Sequence, residues 1–258
     1  MASLQYTLLL LLLSFTYSLG FDPTAQYCNP NTVTTSSTIS SNIDRLLANL
    51  VAPFEHGTNF VEASYGKDKT TKVYGLAQCR GDVGTSDCLG CIQDAAQQIR
   101  KLCPNQTDAR IWYDYCLLRY SQDQFYDQVD TSYGELYKNV ENVTNPDDFN
   151  QELGNLFKKI TSKAIKPSNL GLGKDDKKLS SFETLYGLVQ CTRDLSPINC
   201  AQCLAIAIEN FQGFCYEKKG CRVFYSSCFV RYELYPFYFP LDSMKTKDDI
   251  LVKSIINR

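Results

Sequence analysis

The sequence predicts an α+β protein of two tandem disulfide-stapled domains, each with two helices packed on an antiparallel sheet. Three observations predict it. First, Tyr74-Gly75-Leu76-Ala77-Gln78-Cys79 recurs as Tyr186-Gly187-Leu188-Val189-Gln190-Cys191, a shift of 112 residues. The same shift carries Cys88, Cys91, Cys103 and Cys116 onto Cys200, Cys203, Cys215 and Cys228, and Arg110 and Arg119 onto Arg222 and Arg231. Second, each copy contains two stretches with helical spacing of apolar residues. Third, runs rich in β-branched and aromatic residues flank those stretches, so each copy reads helix, strands, helix, strands.

The elements follow in order. Residues 1–20 read as a signal peptide: Leu8 to Leu13 form an uninterrupted leucine run, and Ser18 and Gly20 fit the small-residue positions of a cleavage site. Domain 1 is expected over 21–134 and domain 2 over 135–240, with a tail at 241–258. Ile39, Ile43, Leu46, Leu47 and Leu50 form one apolar stripe, repeated by Phe149, Leu153, Leu156, Phe157 and Ile160 at a shift of 110. Asn145-Pro146 supplies an N-cap and a first-turn proline, with Asp147 and Asp148 placed for the helix dipole. The second helix of copy one presents Cys88, Cys91, Ile92, Ala95, Ile99 and Leu102 on one face. That of copy two opens at Ser196-Pro197 and presents Cys200, Cys203, Leu204, Ala207 and Phe211. Residues 72–79, 110–120, 184–191 and 222–232 read as strands. Residues 52–66 and 166–173 read as loops, and Lys174-Asp175-Asp176-Lys177-Lys178 as a solvated charged loop.

Composition narrows the function. Lys+Arg (26) nearly balance Asp+Glu (28), so nucleic acid and anionic membrane surfaces are not expected partners. Beyond the leader no apolar stretch has the roughly 20 residues of a spanning helix, and the last residues carry no lipid-anchor or retention signal. The protein is therefore expected to leave the cell. Asn105-Gln106-Thr107 and Asn142-Val143-Thr144 are glycosylation acceptors. Twelve cysteines include two Cys-x-x-Cys pairs, Cys88/Cys91 and Cys200/Cys203. Redox chemistry, a thiolate zinc site and structural disulfides compete for them. An even cysteine count in a secreted chain favours the disulfide framework, and one histidine, His56, argues against zinc. No metal or cofactor is expected.

The spacing Cys79-x8-Cys88-x2-Cys91, its repeat Cys191-x8-Cys200-x2-Cys203, the Tyr-Gly-Leu-x-Gln-Cys motif and Cys228-Phe-Val-Arg-Tyr-Glu-Leu-Tyr-Pro-Phe-Tyr resemble the ginkbilobin-2-homologous domain of plants. Two copies behind a signal peptide resemble the plant cysteine-rich repeat secretory proteins. Related receptors continue into a membrane span, and this chain is expected to act without one. The resemblance implies disulfides Cys28–Cys103, Cys79–Cys88, Cys91–Cys116, Cys191–Cys200 and Cys203–Cys228. Copy two has Lys138 where copy one has Cys28, which strands Cys215, and the extra Cys221 supplies its expected partner. The resemblance also implies a mannose site made of an Asn after the first cysteine, an Arg six residues before the last and a Glu five residues after it. Copy one offers Asn29 and Arg110 but Ser121 at the third position. Copy two offers Arg222 and Glu233, with Asn139 beside the missing cysteine. Arg and Glu together supply donors and charged acceptors for a pair of sugar hydroxyls.

No nucleophile elbow, P-loop or His-Glu-x-x-His is present, so the chain is read as a non-enzyme. His56 reads as an exposed loop residue, and Trp112, flanked by repeat-matched positions, reads as packing. Two functions compete. One is a secreted, apoplastic, lectin-like protein that binds mannose-type glycans in plant defence or stress. The other is an extracellular protein-interaction module that partners related cell-surface receptors without binding sugar. They differ in whether the Asn, Arg and Glu side chains converge on solvent or are consumed in salt bridges.

Overall fold

The computed structural model describes residues 22–240 and 256–257. The predicted leader lies outside the described residues, as does the predicted tail apart from Ile256 and Asn257. Domain 1 runs β1 (Ala25–Cys28), α1 (Ser37–Val51), a 3-10 turn (Ala52–His56), β2 (Phe60–Tyr65), β3 (Val73–Cys79), α2 (Thr85–Leu102), β4 (Ala109–Trp112) and β5 (Cys116–Ser121). Domain 2 repeats the order with β6 (Gly134–Asn139), α3 (Pro146–Ala164), a 3-10 turn (Pro167–Asn169), β7 (Leu172–Lys178), β8 (Thr184–Cys191), α4 (Pro197–Phe214), β9 (Cys221–Tyr225) and β10 (Cys228–Glu233). A dipeptide strand, β11 (Ile256–Asn257), pairs with β6. The sheet orders are β1-β4-β5-β3-β2 and β11-β6-β9-β10-β8-β7, and every pairing is antiparallel. The chain thus forms two α+β domains of one topology.

The helices lie where the apolar stripes put them. Ser36 caps α1 through a hydrogen bond from the Ile39 N–H, and Ser196 caps α4 through one from Asn199 N–H. Ile43, Leu46, Leu47 and Leu50 of α1 are buried, each contributing roughly 1.5–3 kcal/mol. The matching face of α3 buries Phe149, Leu153, Leu156, Phe157 and Ile160. The motif glycines explain how closely these helices approach the sheets. A Cβ on Gly75 would sit 2.8 Å from a Leu50 methyl, and one on Gly187 would sit 2.9 Å from a Leu156 methyl. Tyr120 and Tyr232, fully buried, donate their hydroxyls to the Gln106 and Lys218 carbonyls and so pin the loop that follows α2 or α4.

Several expectations need correction. Residues 52–66 are not one loop, because β2 completes the edge of sheet 1 there. Residues 166–173 likewise contain a 3-10 turn and the start of β7. The charged run Lys174–Lys178 is strand, not loop: seven residues of β7 pair with β8, and Lys159 and Lys163 of α3 reach Asp175. Charge on an edge strand discourages pairing with another chain. The 110–120 and 222–232 runs each divide into two strands joined by a tight turn. Leu102, the last residue of α2, is exposed and does not join the buried stripe. Asn145 stands at the N-cap of α3, but its side chain donates to Asp148 instead of capping the backbone. His56 ends the 3-10 turn and is exposed.

All the cysteines are paired, as Cys28–Cys103, Cys79–Cys88, Cys91–Cys116, Cys191–Cys200, Cys203–Cys228 and Cys215–Cys221. The Cys-x-x-Cys thiols of α2 and α4 are spent on tying each helix to two strands. Cys88 reaches the end of β3 and Cys91 the start of β5, and copy two repeats both ties.

Candidate functional site

Strand alternation decides where the resemblance-implied residues point. On β4, Ala109 and Ile111 face α1 and α2, so Arg110 and Trp112 face the other way. On β9, Cys221, Val223 and Tyr225 join the helix-side core, so Arg222 and Phe224 face away from it. Those outward faces are not solvated. They pack on each other, sheet against sheet, with Ala25, Trp112, Tyr137 and Phe224 buried in a shared cluster flanked by Leu117 and Phe229. The Trp112 indole donates to the Tyr225 carbonyl at 3.1 Å, so it is packing across the seam.

The seam repeats itself under the 112-residue shift. Gln78 donates to the Cys191 carbonyl at 2.9 Å, and Gln190 donates to the Cys79 carbonyl at 3.0 Å. Gln190 accepts from Gly81 N–H, and Gln78 accepts from Arg193 N–H, both at 2.9 Å. Asp194 accepts from Asp127 N–H, and Asp82 accepts from Phe239 N–H. In each of these pairs one bond maps onto the other when the copies are exchanged. The two domains are therefore related by a pseudo-twofold axis, with an isologous interface inside one chain.

The arginines sit within this seam. Arg110 donates to Ser226 of the opposite domain at 2.6 Å and bridges Asp130 at 3.0 Å and Asp108 at 3.3 Å. Its guanidinium also lies over the Tyr27 ring. Asn29 donates to the same Asp108 oxygen at 3.0 Å. Asn29 and Arg110 are thus brought together, with a carboxylate of the chain itself between them. Ser121 is buried and accepts from Asp123 N–H. Under the shift, Ser226 corresponds to Asp114, and Arg222 binds Asp114 of the opposite domain at 2.6 Å. Arg222 also stacks on Tyr137 and Phe224. Glu233 is 2 % exposed and held by Arg231 at 3.0 Å, its carboxylate seated over Gly220. Asn139 lies at the end of β6, where its side chain accepts from Glu141 N–H and turns the chain.

The electrostatics of the seam follow from burial and ion pairing. Burial pushes the Asp130 carboxyl up, but the Arg110 and Arg119 guanidiniums outweigh it and hold the group below the ordinary range. Burial and the neighbouring Arg110 depress Arg119 to about 10. Burial raises Glu233 and lowers Arg222. The residues that sequence reasoning missed are Gln78, Gln190, Asp114 and Asp130. One signal for the glutamines was available: the same Gln-Cys ending closes the motif in both copies.

The comparisons follow from this geometry. A family model described as "Salt stress response/antifungal" matches residues 27–123 and again 137–235. The chain belongs to the salt stress response/antifungal family. Among relatives in that family, Cysteine-rich repeat secretory protein 55 of Arabidopsis thaliana is 56% identical over 226 residues, which span 86% of this chain and 85% of the relative. The antimicrobial ginkbilobin-2-like protein of Castanea crenata is 39% identical over 218 residues, 84% and 89% of the two chains. Among solved structures, the tandem DUF26 ectodomain of the Arabidopsis thaliana cysteine-rich receptor-like protein PDLP8 superposes with a TM-score of 0.72 at 29% identity, covering 83% of this chain and 98% of that one. Among the described residues, no helix is long and apolar enough to cross a membrane.

Proposed function

We propose that this salt stress response/antifungal family member is a secreted, non-catalytic interaction module of stress or defence, which binds an extracellular protein partner and not mannose-type sugar. The observation that carries the reading is the fate of the sugar-site side chains. Arg110, Arg222 and Glu233 are consumed by Asp108, Asp130, Ser226, Asp114 and Arg231 at the seam. A sugar would have to displace charge-assisted bonds that are buried at Arg110 and Glu233 and reach solvent only at Asp114, which costs more than two hydroxyl contacts return. The similarity to a receptor ectodomain supports a partner of the same tandem class. Exposed apolar side chains at Phe182 on the β7–β8 hairpin and Ile198 on the first turn of α4 offer contact surface.

The test pairs two binding assays on the secreted protein. Mannan and a mannose-type glycan array should retain nothing, while immobilised tandem ectodomains of related cysteine-rich receptors should retain the chain. Mannan binding abolished by Arg222→Ala or Glu233→Ala, with thermal stability unchanged, would overturn this reading and restore the lectin.

A further inference from the structure

We infer that Asn142 carries an N-linked glycan whose first sugars lie in a groove between α3 and the β7–β8 hairpin of domain 2. The inference rests on the secreted reading above, because the donor sugar is met only on entry to the secretory pathway. In the transfer, Asn142 Nδ2 attacks the anomeric carbon of a polyprenyl-diphosphate-linked oligosaccharide. The N–C bond forms, the C–O bond to the diphosphate breaks, the diphosphate leaves with the electron pair, and Nδ2 gives up one proton.

Three structural facts carry the assignment. First, Asn142 and Thr144 of the acceptor tripeptide are both exposed. Second, the backbone on either side of Asn142 is pinned. Val143 N–H donates to the Glu217 carbonyl at 2.7 Å, and Lys219 N–H donates to the Glu141 carbonyl at 3.0 Å. The 217–220 loop that accepts this segment is closed by Cys215–Cys221. Lys218 Nζ donates to Asn142 Oδ1 at 2.6 Å, which orients the amide and leaves Nδ2 without a hydrogen bond among the described residues. Third, Asn142 lines an open groove of about 610 Å³. Its lining suits a sugar. Leu234, half-buried, offers apolar surface to the C–H face of a pyranose, and Gln151, Lys178 and Glu183, all exposed, offer donors and acceptors for hydroxyl and acetamido groups. Asn105, by contrast, borders a cavity of only about 230 Å³.

The experiment expresses the full chain in a plant secretory system and follows the Asn142 peptide by mass spectrometry. The secreted wild type should carry a glycan mass on that peptide, and Asn142→Gln and Thr144→Ala should each abolish it. A secreted protein with an unmodified Asn142 peptide overturns the inference, whereas a protein that never reaches the medium overturns the secreted reading instead. The seat is tested by a peptide-N-glycanase active on plant glycans. Release from folded protein should be at least about tenfold slower than from denatured protein, the protection expected of even weak docking. Gln151→Trp, which fills the groove from an exposed position on α3, should remove that protection. Equal release rates from folded and denatured wild type would refute the docking.

Discussion

Removing one motif glutamine should cost as much as removing the other, and the cost should be large for a polar side chain. Gln78 is 4% exposed and Gln190 is 5% exposed. Each makes one donor and one acceptor bond to backbone of the opposite domain. Truncation of either to alanine leaves a carbonyl and an N–H without a partner in a buried seam, at about 1–3 kcal/mol for each orphaned group. We expect about 3 kcal/mol for Gln78→Ala and the same within about 1 kcal/mol for Gln190→Ala, because the bonds are paired by the pseudo-twofold. Urea denaturation of the oxidised protein, followed by tryptophan fluorescence, is a suitable assay, since Trp112 itself lies in the seam. The weakened seam should also lower the apparent m-value as the two domains begin to unfold apart. A cost below about 1 kcal/mol for either variant, or a clear inequality between them, would refute the claim that these side chains clamp the domains symmetrically.

Other outcomes are equally concrete. Replacing Cys28 and Cys103 by serine should cost about 4.5 kcal/mol, against about 2 for Cys215 and Cys221, since the closed loops span 75 and 6 residues; guanidinium midpoints of the two double variants check the order. Burial raises the Asp194 carboxyl above its ordinary value of 3.8, so the folded state holds that proton more tightly than the unfolded state. Its contribution to stability therefore grows as pH falls from the raised value toward 3.8 and is lost as pH rises through the raised value. Asp194→Asn, whose amide oxygen keeps the bond from Asp127 N–H, should be more stable than wild type at neutral pH, with the difference vanishing on acidification. Urea midpoints across that pH range test this. Gly187→Ala drives a Cβ into Leu156 and Ile160 and should cost about 1–3 kcal/mol by thermal melting, whereas Gly154→Ala on the open face of α3 should not destabilise.

The helices and central strands were legible because their stripes and caps are local. Ile43 to Leu50 and Leu153 to Ile160 have only one arrangement that buries them together. Strand β7 was illegible for the opposite reason. Lys174 to Lys178 carries no apolar alternation, and its strand comes from the ladder that β8 offers and from the Asp175 bridges to α3. Strand β2 hid behind the Pro53 and Gly57 breaks of the turn that precedes it. The seam was not read from the sequence. β3 and β10 bury nearly every residue, and strands buried on both faces must have something on each. What lay opposite could not be read, because covering by the other copy depends on contacts far apart in sequence. The implied sugar residues Arg110, Asn139, Arg222 and Glu233 lie on β4, β6, β9 and β10. Their partners, Asp114 and Asp130, sit in turn and linker segments where aspartate is ordinary.

The isologous seam has a consequence for how the two copies have come to differ. A surface that binds its own duplicate is complete on a single copy, so one such domain alone would meet a second as a homodimer. Once both are joined in one chain, their concentration relative to each other is fixed, and each contact is encoded twice. A half of any pair can then change while the other still holds. Ser226 opposite Asp114, Ser121 opposite Glu233, and Lys138 opposite Cys28 are such departures. Ser226 receives Arg110 where Asp114 receives Arg222, so the same seat across the seam is filled by a hydroxyl in one copy and by a carboxylate in the other.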